Sequence, residues 1–146
     1  MNKTSSRLSQ IQLVMVPSSD QERSLAFYEA VGFERRNDIP WGEGYRWVEV
    51  YPPGGNTGIA LIPRRPGEAA GVTTGIILHT DDIDATHAAM RSSGVDVDDG
   101  IARKGSPTKI RLGANEMAEP SPPMFWFRDP DGNSLLIVEI RRPVSP

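Results

Sequence analysis

Asp20-Gln21-Glu22-Arg23-Ser24-Leu25-Ala26-Phe27-Tyr28-Glu29-Ala30-Val31-Gly32 and, further along, Asp82-Ile83-Asp84-Ala85-Thr86-His87-Ala88-Ala89-Met90-Arg91-Ser92-Ser93-Gly94 decide how this chain is read. In each stretch an aspartate suited to capping a helix precedes helix formers with apolar residues at helical spacing. A glycine closes each run twelve positions after the aspartate. Two helices in matching register, one over residues 20–31 and one from 82 through Met90, point to an internal duplication.

The flanking segments repeat as well. Residues 11–16 form a short, apolar, β-branched run stopped by Pro17, which favours a buried strand. Residues 34–38, 45–51 and 58–62 are further strand candidates, separated by Pro40-Trp41-Gly42 and by Pro52-Pro53-Gly54-Gly55-Asn56. The second helix is preceded by β-rich residues 74–80 and followed by 95–101, 124–128 and 134–140. The last two bracket Asp129-Pro130-Asp131-Gly132, a strong hairpin signal. The order is βαβββ, twice. Residues 102–123 break the symmetry as a proline-punctuated loop of 22 residues, long enough to be either a functional lid or a surface insertion.

Composition narrows the classes. With 146 residues, 38% hydrophobic and 24% charged, the chain is the size of one ordinary domain and needs no metal or disulfide merely to fold. A net charge of -3 offers no basic field, so nucleic acid is not an expected partner. The absence of cysteine excludes disulfides, thiolate metal sites and a cysteine nucleophile, and fits a cytoplasmic protein. Residues 1–10 lack the apolar core of a signal peptide and no apolar run is long enough to cross a bilayer, so no membrane partner is expected. The expected layout is one domain over 9–141, made of modules 9–63 and 72–141, with loose tails at 1–8 and 143–146.

Several phrases carry a family resemblance: Ser19-Asp20-Gln21-Glu22-Arg23, Phe27-Tyr28, Gly32-Phe33, Thr80-Asp81-Asp82-Ile83-Asp84 and Phe127-Arg128-Asp129-Pro130-Asp131-Gly132-Asn133. Within two βαβββ units they resemble the vicinal oxygen chelate superfamily, the group of glyoxalase I, bleomycin-resistance proteins and extradiol dioxygenases. The resemblance implies an α+β fold in which two modules form curved mixed sheets around a cavity, with the helices outside, and it implies a homodimer. It also implies where a catalytic member would hold a divalent metal. First-strand ligands lie about seven residues before the capping aspartates, at Leu13 and Gly75. A last-strand ligand follows the Asp-Pro-Asp-Gly turn by four, at Leu136, and its counterpart in Ile59-Ala60-Leu61-Ile62 has no polar side chain to offer. Divalent cations need oxygen or imidazole donors, so neither a metal nor another cofactor is expected.

The remaining candidates follow from strand parity. His79 shares the parity of Gly75 and Ile77 and should face the cavity, whereas His87 should pack between helix and sheet. Glu49 shares a face with Tyr45 and Trp47, whereas Glu139 opposes Leu136. His79 and Glu49 are therefore the candidate acid–base pair. The expected ligand lining is Leu13 and Met15, Gly75 and Ile77, Leu136, Trp47, and the Met124/Trp126 face, with Arg46, Tyr45 and His79 as polar anchors. The expected function is metal-free binding of a small, partly aromatic molecule. The alternative is a glyoxalase-type lyase, isomerase or dioxygenase using an atypical metal or acid–base site.

Overall fold

A computed structural model describes residues 2–141, so the tail at 143–146 lies outside the described residues. The chain divides into two compact units, one ending at Arg64 and the other beginning at Arg65.

The first unit comprises β1 (Leu13–Ser18), α1 (Gln21–Ala30), β2 (Glu34–Pro40), β3 (Arg46–Tyr51) and β4 (Gly58–Pro63). Its sheet runs β1-β4-β3-β2, with β1 parallel to β4 and the other neighbours antiparallel. Alternation along the strands gives this sheet two unlike faces. Val16, Val48, Val50, Ile59 and Leu61 point to one side, where Leu25 and Tyr28 of α1 bury them. Burial of side chains of this size contributes about 1.5–3 kcal/mol each. Leu13, Met15, Trp47, Glu49, Tyr51 and Ala60 point to the other side.

The second unit repeats the plan with β5 (Thr73–Thr80), α2 (Ile83–Ser92), β6 (Asp96–Val97), β9 (Met124–Arg128) and β10 (Ser134–Glu139), in the order β5-β10-β9-β6. Phe125, Phe127, Leu135 and Ile137 are buried on the face that takes α2. The local devices recur with the elements. Asp20 and Asp82 accept N–H bonds from Arg23 and Ala85 at 3.1 and 3.0 Å, each satisfying a donor that a helix start leaves free. Gly32 and Gly94 take positive φ, and the next residues, Phe33 and Val95, donate back to Tyr28 and Met90 to close each helix. The hydroxyl pair Ser18–Ser24, at 2.6 Å, is matched by Thr80–Thr86, at 2.7 Å.

Two expectations change. The strand expected at 95–101 pairs only over Asp96–Val97: at Asp98 the backbone N–H still donates to the Trp126 carbonyl (3.0 Å), but the Trp126 N–H turns to the Asp98 carboxylate (3.0 Å), which also accepts an Arg128 N–H (2.8 Å). The segment 102–123 is not a structureless loop. It carries a hairpin, β7 (Lys109–Leu112) and β8 (Asn115–Ala118), and Ala102 bridges to Met124. Ile110, with Leu112 and Met117, packs onto Met124, Leu136 and Val138, the face of the second sheet opposite α2. The hairpin is therefore that sheet's second cover. Replacing the buried Ile110 with Ala should cost about 2–4 kcal/mol in chemical denaturation, while the exposed Lys109→Ala should cost almost nothing. Equal, small effects would show that the hairpin is not part of the core.

Candidate functional site

Each unit places the expected residues differently. In the first, register puts Met15, Ala60, Glu49 and Asn37 in one row on the face away from α1. Met15 is 71% exposed there, and Ile39, Trp41 and Tyr45 are also exposed. At the centre lies Glu49, only 8% exposed. The Trp47 indole donates to its Oε2 at 2.6 Å, and the Tyr51 hydroxyl donates to its Oε1 at 2.7 Å. Tyr51 in turn accepts from the Gln12 amide at 3.1 Å. Trp41 lies against Trp47, ring centres 5.1 Å apart with the planes tilted by 35°. Burial pushes the Glu49 carboxyl up, but the hydrogen bonds from Tyr51, Trp47 and Asn37 together outweigh it and hold the group below the usual glutamate value.

Arg46 needs correcting as a ligand anchor. It has the opposite parity to Trp47 and lies on the α1 side, where it binds Asp38 at 2.9 and 2.6 Å and pairs with Glu22 of the helix. Its guanidinium holds the Asp38 carboxyl below its usual value. It staples helix to sheet.

In the second unit the row equivalent to Met15–Ala60–Glu49 is Ile77–Leu136–Trp126. Ile77 is 63% exposed and His79 is exposed beside it, on the face that parity predicts. Met124 and Leu136 share that face but lie under the hairpin, Leu136 only 2% exposed. Trp126 donates to the Arg111 carbonyl at 3.1 Å. It borders a cleft of about 420 Å³ with Asp98, Thr108, Ile110 and Arg128 around it. His87 donates from Nε2 to the Asp98 carbonyl (2.7 Å) and meets Phe125 edge-on, the packing role expected of it. Glu139 points away from Leu136 and receives the Ile83 N–H at 3.0 Å and Arg141 at 2.8 Å, both of which keep it ionised at the start of α2.

Strand register makes Ala60, paired with Met15, the counterpart of Leu136, paired with Ile77. Leu13 and Ala60 in the first unit, and Gly75 and Leu136 in the second, have no donor atom in any side chain. Among the described residues no three His, Asp or Glu side chains gather around a common centre. None of the side chains at Leu13, Ala60, Gly75 and Leu136 can ligate a divalent metal. Glu49 is already committed to three neutral donors, Trp47, Tyr51 and Asn37, which fixes the two aromatic side chains in place. The sequence signal for that network is Trp47, Glu49 and Tyr51 at alternate positions of one strand, which puts a donor on either side of the carboxylate.

Against this geometry the comparisons are specific. The Glyoxalase/Bleomycin resistance protein/Dioxygenase superfamily model matches residues 10–137. The chain belongs to this superfamily. TnmS3, an antibiotic binding protein from Streptomyces sp. CB03234, is 35% identical over 91% of this chain and 97% of its own, with a TM-score of 0.70. A superfamily member from Sphaerobacter thermophilus DSM 20745 is 31% identical over 91% and 98%, also with a TM-score of 0.70. The uncharacterized protein YetH of Bacillus subtilis (strain 168) is 28% identical over 90% of this chain and 99% of its own. No helix among the described residues is long and apolar enough to cross a membrane.

The Glu49 network makes a pH prediction. A carboxyl lowered in the folded state stabilises above its unfolded value, and that contribution is lost as pH falls through the folded one. In a variant retaining Trp47 as its sole tryptophan, emission should stay constant down through the ordinary glutamate range and change only below it. Glu49→Gln should abolish the acid step. A transition centred at or above the ordinary value would contradict the arrangement.

Proposed function

We propose that this superfamily member is a binding protein that holds a small, partly aromatic molecule, without a metal, on the open sheet face of its first unit. The observation that carries the reading is the Trp47–Glu49–Tyr51 network, which fixes aromatic side chains on an apolar face that α1 does not cover. Met15, Leu13 and Ile39 supply apolar area, and the Trp41/Trp47 pair supplies ring faces, the mixture by which proteins hold hydrophobic ligands with a few polar anchors. The likeness to an antibiotic binding protein supports the same class of ligand. The donor-free strand positions support binding without a metal ion.

We extend the reading to a homodimer in the cytoplasm, and assign to the second copy the edge strand β5, whose Ile77 is exposed. Sedimentation velocity of wild type and Ile77→Asp tests that assignment: a dimer that becomes a monomer is expected, and two identical profiles would refute it.

The ligand test uses chelator-treated protein titrated with bleomycin and with 2-naphthylmethanol, followed by calorimetry. Saturable one-to-one binding of at least one probe is expected. Trp47→Ala should weaken it about tenfold or more, the loss of one well-packed aromatic contact, and added nickel or zinc should change nothing. Binding that requires the metal would overturn the metal-free reading, and binding indifferent to Trp47→Ala would place the site elsewhere.

A further inference from the structure

The Glu49 carboxylate is a buried negative charge met only by neutral donors. Its two oxygens take the Trp47 indole, the Tyr51 hydroxyl and Asn37. The guanidinium groups of the same sheet are committed elsewhere: Arg46 to Asp38 and Glu22, Arg35 to Glu29 and Asp38, and Arg36 to Glu34 and the carbonyls of Pro52 and Gly55. Among the described residues, no ion pair reaches Glu49. Buried carboxylates are ordinarily paired with a cation as well as hydrogen-bonded. Here the charge instead lies at the indole N–H edge of Trp47, whose ring packs against that of the exposed Trp41, and the electron-rich faces of such rings attract cations. The fold already uses this attraction at the margin of the face, where the Arg36 guanidinium lies 4.3 Å from the centre of the Tyr51 ring.

We propose that the ligand of this face carries a cationic nitrogen, received against the Trp41/Trp47 pair within the field of the Glu49 carboxylate, with its hydrocarbon part over Met15 and Ile39. The inference rests on the functional reading above and adds the charge class of the ligand. Charge complementarity selects this occupant: an anionic ligand would be repelled by Glu49, and a neutral one would leave its charge uncompensated. Glu49 then has two tasks, holding Trp47 and Tyr51 by accepting their hydrogens and contributing the negative field.

Three probes sharing one ring system separate the possibilities: (2-naphthylmethyl)trimethylammonium, 2-naphthylmethanol and 2-naphthylacetate, each titrated into the full chain by calorimetry at low and high salt. The cation should bind about tenfold more tightly than the alcohol, within the range expected of cation–ring and carboxylate attraction, and the acetate should bind most weakly. Salt should narrow the spread. Glu49→Gln should bring the ratio of cation to alcohol affinity close to one. Equal affinities for the three probes in wild type would overturn the inference while leaving the binding reading intact, and this arm needs no variant to fold. A cation preference that survives in Glu49→Gln would also overturn it. If no probe binds and Trp41→Ala turns a dimer into a monomer, the face is a contact between copies, and both the inference and the binding reading fall.

Discussion

A β-sheet has two faces, and in each unit of this chain a single helix covers only one of them. The rest of the architecture follows from what happens to the other. On the covered side the two units are nearly superimposable in logic, with capping aspartates, closing glycines, a hydroxyl pair between strand and helix, and an aliphatic-aromatic layer beneath. On the other side they diverge. The second unit turns its own hairpin back onto Met124, Leu136 and Val138, while the first leaves Met15, Trp41 and Ile39 exposed around a buried carboxylate. Exposed apolar area arranged around an organised polar group is a costly arrangement for a surface that has no partner.

The resemblance to the superfamily marks strand positions where a catalytic member would hold metal ligands. Here those positions hold leucine, alanine, glycine and leucine, and Leu136 is in addition packed under the hairpin. The carboxylate that remains, Glu49, occupies the row position that Trp126 holds in the second unit. Both of its oxygens accept hydrogens from neighbours on its own strand. A carboxylate held this way is suited to fixing aromatic rings and projecting a steady negative field, rather than to passing protons.

The fold was largely legible in the sequence, because its signals are local. The capping aspartates and the closing glycines mark both helices, and the Asp129–Gly132 turn marks the last hairpin. The β7–β8 hairpin was not legible: its strands are four residues each and are stabilised by packing on Met124 and Leu136, a tertiary effect that leaves little periodicity. At the site, parity placed Glu49 with Trp47, and His79 with Ile77, but it could not tell an open face from a covered one, which is why Met124 and Leu136 were counted as lining. Arg46 lies beside the aromatic strand positions in sequence, yet strand alternation puts it on the helix side, where it meets Glu22.

Fluorine NMR of protein labelled with 5-fluorotryptophan locates binding directly, since the chain's three tryptophans give one resonance each. On titration with the naphthyl probes, the Trp41 and Trp47 resonances should shift together and saturate at one equivalent, with Trp126 nearly still. A shift confined to Trp126, or none at all, would contradict a ligand site on the open face of the first unit.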